Sequence, residues 1–174
     1  SRLAEMTNVS SCSDGMQWEW DGVHFEFLHP PATAAAKRHD NDRSCVLRIG
    51  VGERHVLLTG DIEESGERRL VDSLQPLLRS RVLKVPHHGS VSSSSAPFLN
   101  AIAPHLAVVS VGRGRRFGLP HASVMAAYRA REIPVLQTDR DGAVMVDIRA
   151  DGKVTVTRGR DEQAVETLAL DSFP

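Results

Sequence analysis

The chain has 174 residues, 41% of them hydrophobic and only 5% aromatic, enough for one domain with a core of Val, Leu, Ile and Ala. Its formal net charge of -1 excludes a globally basic surface for nucleic acid or membranes, so an anionic partner has to be met by a local patch. No apolar run approaches the ~20 residues of a membrane helix and no secretory pattern opens the chain. Two cysteines, Cys12 and Cys45, are too few for a disulfide scaffold. They read equally as one bridge, in a chain that lives outside the cytoplasm, or as two free thiols.

Residues 1–15 are polar and Ser-rich and read as a loose lead-in, a segment cut from something longer. Gln17 to Trp20, Asp21-Gly22 and Val23 to Leu28 alternate with period two around an Asp-Gly turn, which predicts a β-hairpin. His24 and Glu26 then share a face, and His29-Pro30-Pro31 ends the strand. Residues 32–43 form a polar loop. Ser44 to Ile49 and His55 to Thr59 predict a second hairpin around Gly50-Val51-Gly52-Glu53.

Val56-Leu57-Leu58-Thr59 and Val82-Leu83-Lys84-Val85 are short β-forming runs that stop abruptly at Gly60-Asp61 and at Pro86-His87-His88-Gly89-Ser90. Glu63 to Ser80 between them is helical in pattern. A strand–helix–strand unit of this length makes parallel neighbours whose C-terminal ends open on one edge of the sheet. A short helix over Ala96 to Ala103, a strand Leu106 to Val111, a helix Ser123 to Arg131 and a strand Val135 to Thr138 continue the alternation. Ala143 to Arg149 and Lys153 to Arg158 predict a last hairpin through Asp151-Gly152. Residues 159–174 are expected to be a flexible acidic tail, leaving 16–158 as the folded unit.

Polar chemistry gathers at strand ends: Asn41/Asp42, Asp61, His87/His88/Ser90 and His121. Carboxylate and imidazole ligands on rigid strand ends suit Zn or Mn. Taken singly each signal is weak, because a Gly-Asp after a strand is more often a turn or a helix N-cap. Two adjacent histidines on one strand cannot both point the same way, so at most one of His87 and His88 is expected as a direct ligand. Arg113, Arg115 and Arg116 in a glycine-rich loop form the local basic patch, the alternative being a solvated loop. Phe117 reads more readily as a core anchor than as a base-stacking ring.

Thr59-Gly60-Asp61, Lys84-Val85-Pro86-His87-His88-Gly89-Ser90 with Ser93-Ser94-Ser95, Ser110-Val111-Gly112, and Phe117-Gly118-Leu119-Pro120-His121 resemble the C-terminal domain of the ComEC family, the channel proteins of competence DNA uptake. Trp18 to Val23 and Asn41 to Leu47 match the family's pattern as well. The resemblance covers roughly residues 12–150. It implies an α/β fold, the C-terminal portion of a metallo-β-lactamase-like αββα sandwich.

By the same resemblance, Asp61 stands at the bridging metal carboxylate and His121 at the last metal-binding histidine. His87 or His88 is expected to contact metal or phosphate, with His87 taken as the further metal ligand. His87, His88 and Ser90 belong to the active-site loop. The Gly89 backbone and, from the residues themselves, the patch of Arg113, Arg115 and Arg116 are expected to contact substrate. The family's first His/Asp metal motif is absent from these residues, since His24, His29 and His39 lack its spacing. The implied activity is metal-assisted phosphodiester hydrolysis on single-stranded DNA, in a parent set in the inner membrane. The rivals are a non-catalytic DNA-binding or structural domain and a stand-alone hydrolase of the same fold. The chain alone is expected to hold no full two-metal centre, to be inactive, and to form a homodimer that buries an exposed sheet face.

Overall fold

The computed structural model describes residues 10–32, 40–114, 117–149, 154–159 and 165–166. Seven strands form one sheet in chain order: β1 (Gln17–Trp20), β2 (Val23–His29), β3 (Val46–Val51), β4 (Arg54–Leu58), β5 (Val82–Lys84), β6 (Leu106–Val109) and β7 (Val135–Gln137). β1–β2 and β3–β4 are antiparallel hairpins with tight turns, β2 and β3 pair antiparallel across residues 30–45, and β4 to β7 pair parallel. The first turn carries positive φ at Asp21 and Gly22, as a two-residue hairpin requires. The parallel strands are joined by α1 (Glu64–Leu78), α2 (Ala96–Ile102) and α3 (Ala122–Arg129). Sequential right-handed crossovers place all three helices on one face.

That face carries the main core. Leu57 pairs with Leu83 and Leu83 with Ala107, and all three are buried with Leu70, Phe98, Ile102 and Tyr128 from the helices. α1 turns Glu67, Leu70, Val71, Leu74, Leu77 and Leu78 inward at helical spacing. The expected helix over Glu63 to Ser80 is shorter and kinked, with Leu74 non-helical (φ -135°) ahead of Pro76. Pro76 has no N–H for the carbonyl one turn back, and its ring crowds that carbonyl.

The opposite face shows the αββα plan as far as the described residues reach. β8 (Val144–Ile148), β9 (Val154–Arg158) and β10 (Val165–Glu166) make a three-stranded antiparallel sheet. Val144, Val146, Ile148 and Val156 pack against Val82, Leu106 and Leu136. The Asp151-Gly152 turn lies outside the described residues. The tail expected to be flexible contains β10, paired to β9, while 160–164 and 167–174 lie outside the described residues. Over β1 to β4 the same face carries Trp18, Phe25, Phe27, Leu47, Ile49 and Leu58 in register. Trp18 stacks on Phe25 at 4.9 Å yet stays 43% exposed, and Leu58 is 37% exposed.

The described end of the lead-in is anchored. Asp14 N–H donates to Pro30 O (2.8 Å), Gly15 N–H to Phe27 O (3.0 Å), and Asp14 Oδ1 accepts from Ala32 N–H (2.9 Å). Cys12 and Cys45 form a disulfide with Cα atoms 6.0 Å apart, which resolves the open reading of the two thiols. With a sequence separation of 33, loop closure restricts the unfolded chain by an amount worth about 3–4 kcal/mol in the chain-entropy account.

Candidate functional site

The site lies at the C-terminal ends of β4 and β5. Thr59 Oγ1 donates to Lys84 O (2.7 Å), locking the two strand ends together. Gly60 follows with φ +54°, and a Cβ there would meet Ser44 Cβ at 2.9 Å and Cys45 O at 3.0 Å. Only glycine allows both this backbone and this approach. The turn exposes Asp61, whose N–H donates to Ser44 Oγ (3.1 Å). Asp61 is not the N-cap of α1; that position is Glu63, which makes no side-chain cap bond.

After β5, Pro86–Gly89 is a 3-10 turn in which His87 (φ 46°), His88 (φ 55°) and Gly89 (φ 81°) are all left-handed. Two non-glycine residues in this region cost roughly 1–2 kcal/mol each. Such strain persists where surrounding contacts impose it. Here His87 N–H donates to Gly60 O (3.2 Å) and Ser90 N–H to His87 O (2.9 Å).

The left-handed turn sends the two imidazoles apart. His88 Nε2 lies 3.5 Å from Asp61 Oδ1, and its Nδ1 is 2.6 Å from Ser110 O at the end of β6. His87 Nδ1 lies 3.3 Å from Glu63 Oε1 and 3.4 Å from Ser92 Oγ. The histidine beside the carboxylate is therefore His88, whereas His87 had been expected as the ligand. Glu63, which sequence reasoning passed over, also accepts from Asn41 Nδ2 (3.1 Å) and Ser92 Oγ (3.2 Å). Ser65 Oγ donates to Asp42, so Asn41 and Asp42 tie their turn to the start of α1.

Behind the loop, Glu67 is fully buried. Its carboxylate accepts from Ser94 N–H (2.5 Å) and Ser95 N–H (2.8 Å), replacing a side-chain cap at α2, where Ser95 makes none. Ser94 Oγ meets Tyr128 Oη at 3.1 Å. Burial holds the Glu67 carboxyl above its usual range, the bonds from Ser95 and Ser94 opposing and the charge of Glu64 adding. Burial also pushes the Tyr128 hydroxyl well up. A Glu four residues into a helical pattern looks like a surface charge, so only the serine run facing it could have signalled this role.

His121 joins the rim through its backbone, donating N–H to Gly89 O (2.9 Å). Its ring caps α3: Nδ1 sits 2.7 Å from Ser123 Oγ and accepts from Ser123 N–H (3.3 Å). Ser90 Oγ is 3.1 Å from Ser92 Oγ and so braces the serine loop. A Cβ at Gly89 would stand 2.6 Å from Pro120 Cβ. Arg113 is exposed in its turn, while Arg115 and Arg116 lie outside the described residues. Phe117 is 78% exposed, so the expectation of a core anchor is corrected: the glycine-flanked loop carries it away from the core.

The donor set fits a divalent ion in part. Two ligands of a tetrahedral ion with ~2.1 Å bonds stand about 3.4 Å apart, and the Asp61–His88 separation of 3.5 Å has that spacing. Among the described residues no third His, Cys, Asp or Glu completes such a group. Lys84 sits at the same carboxylate, Nζ 3.6 Å from Asp61 Oδ1, and donates to Gly60 O (2.6 Å). Burial lowers the Lys84 pKa, against the opposing pull of Asp61.

A mixed sheet, helices on one face and an Asp–His pair at the strand ends define an α/β domain with a candidate metal-binding rim. The chain belongs to the metallo-beta-lactamase superfamily, whose family model matches residues 17–113. It is 42% identical over 136 residues to competence protein ComA of Neisseria gonorrhoeae, covering 78% of this chain and 19% of that protein. It is 36% identical over 140 residues to recombination protein 2 of Haemophilus influenzae, covering 80% and 17%. It is 34% identical over 122 residues to ComE operon protein 3 of Bacillus subtilis, covering 70% and 15%. These matches agree with the ComEC-family resemblance carried by the motifs. The chain spans less than a fifth of the length of each of these relatives.

Proposed function

We propose that this chain is part of a metal-dependent phosphodiester hydrolase, the nuclease-like domain of a competence DNA-internalisation protein acting on the strand that is not transported. The observation that carries this reading is the 3.5 Å approach of His88 Nε2 to Asp61 Oδ1, on the edge where open α/β sheets take their ligands. Asp61 and His88 are the side chains of this chain that hold the ion, Zn or Mn. When bound, it supplies Lewis-acid polarisation of the phosphoryl group. His87, oriented by Glu63 and Ser92, donates to a phosphate oxygen. Ser90 positions Ser92. Lys84 adds a fixed positive charge beside Asp61, and Arg113, Arg115 and Arg116 meet the phosphate backbone. His121 completes the rim from the start of α3.

The test is hydrolysis of a labelled single-stranded oligonucleotide by the parent's complete domain with Mn²⁺. Asp61→Ala and His88→Ala each lower turnover by about 100-fold or more, the usual scale for losing one such group. A fully active His88→Ala enzyme would remove the reading. The chain alone is expected to be inactive; calorimetry finding two tightly bound ions per chain would contradict this.

The ammonium of Lys84 at 3.6 Å from Asp61 favours one rival, a DNA-binding or structural domain in which lysine has taken over the charge of a metal. Turnover in the Mn²⁺ assay separates the two. The proposed partners are single-stranded DNA, the remainder of a membrane-channel parent, and a second copy covering the face of Trp18 and Leu58. A monomer by light scattering would argue against the second copy. No helix among the described residues is long and apolar enough to cross a membrane. The Cys12–Cys45 bridge supports a domain on the oxidising side of the parent's membrane.

A further inference from the structure

Two large cavities flank the sheet, and their charges differ. One of about 1040 Å³ lies beyond the C-terminus of α1, where Glu19, Glu26 and Glu53 face Arg48, Arg79 and Arg81. Arg48 and Glu26 pair there at 3.5 Å, so it offers no net preference for an ion of either sign. The other, about 620 Å³, runs between α3 and the edge strand β7; none of its lining among the described residues is acidic, though Asp141 lies next to it and accepts from Gln137 N–H (2.6 Å). Its polar walls are His121, Arg129, Gln137 and Arg140.

Two features mark this groove as a candidate site. Arg129 and Arg140 are exposed and make no ion pair among the described residues. The groove also begins at the candidate active site. Pro120 and His121 line it, and both contact Gly89, through the close packing of Pro120 and the His121 N–H to Gly89 O bond (2.9 Å). Met125 and Val135 give it an apolar floor, and Phe117, beside lining residue Gly118, is 78% exposed. Positive charge along an apolar, aromatic-flanked groove is how single strands are held without sequence preference.

We propose that the α3–β7 groove is a binding track for the phosphodiester backbone of a single-stranded nucleic acid, leading to or from the Asp61–His88 rim. Arg129 and Arg140 contact successive phosphates, and Phe117 stacks a base at the mouth. This rests on the phosphodiester reading of the site but concerns binding, not turnover.

The experiment titrates the chain with a fluorescein-labelled oligothymidylate between 50 and 200 mM salt. The wild type is expected to bind, more weakly as salt rises. The double variant Arg129→Ala/Arg140→Ala, at exposed positions outside the core, is expected to bind at least tenfold more weakly. Its slope of log affinity on log salt should be shallower by about 1.4, two phosphates at ~0.7 each for a single strand. An unchanged affinity and slope in the double variant overturns the track, as does a wild type that binds no oligothymidylate. Equal affinity for a duplex of the same length overturns the single-strand assignment. Oligothymidylate binding that the double variant loses, together with no Mn²⁺-dependent turnover by the parent's complete domain, keeps the track and removes the hydrolase.

Discussion

Glu67→Ala is expected to lower the unfolding free energy by about 3–5 kcal/mol, because it leaves buried donors unpaired as well as opening a cavity. The donors are Ser94 N–H and Ser95 N–H, both bonded to the carboxylate of a side chain with no exposure. Urea unfolding measures the loss, and a shift below about 1 kcal/mol would show that the serine loop does not depend on this residue. Glu67→Gln keeps one acceptor and should fall between wild type and alanine.

The same side chain predicts a pH dependence. The folded-state pKa of Glu67 is raised from the ordinary 4.5, so the folded protein binds this proton more tightly than the unfolded chain does. Its contribution is therefore fully favourable below about 4.5 and is lost as pH rises through the raised folded value. Glu67→Gln removes that slope. A variant whose stability–pH curve keeps the wild-type slope in this window would assign it to another group.

Gly89→Ala is the second large effect expected. The new Cβ would lie 2.6 Å from Pro120 Cβ and 3.2 Å from Pro120 Cα, at a backbone φ of +81°. Left-handed strain of roughly 1–2 kcal/mol adds to overpacking of about 1–3 kcal/mol. Relief requires moving Pro120, and with it the His121 N–H to Gly89 O bond that joins the histidine turn to α3. A fall in thermal midpoint of about 5–15 °C is expected for a chain of this size. Gly112→Ala is the control, since nothing lies within 4 Å of a Cβ there. If the two variants melt together, the packing of Gly89 on Pro120 is not what holds the loop.

The strand-end chemistry was readable from local patterns because those patterns are short. Asp-Gly between alternating strands, and apolar runs ending at Gly60-Asp61 and Pro86-His87, need no distant partner to be recognised. Side-chain direction was not readable. Period-two reasoning treats His87 and His88 as strand neighbours on opposite faces, but two left-handed residues in a row follow no strand period. They send one ring to Asp61 and the other to Glu63. Phe117 was misjudged for a related reason: an aromatic residue in a polar loop looks like an anchor until the loop's path is known.

The sequence by itself determined the order of strands β1 to β9 and helices α1 to α3, the parallel β4–β5 pair, the shared edge to which Asp61 and the histidine turn belong, and the family. Each rests on hydrophobic period, turn chemistry or a contiguous motif, all encoded within a few residues. Only the tertiary structure decided that Cys12 meets Cys45, that Glu67 reaches the backbone 27 and 28 residues away, that Lys84 shares the carboxylate of Asp61, and that a groove lined by Arg129 and Arg140 opens beside His121. These depend on contacts between segments far apart in the chain, whose energies are realised only once the sheet has set their separation and direction.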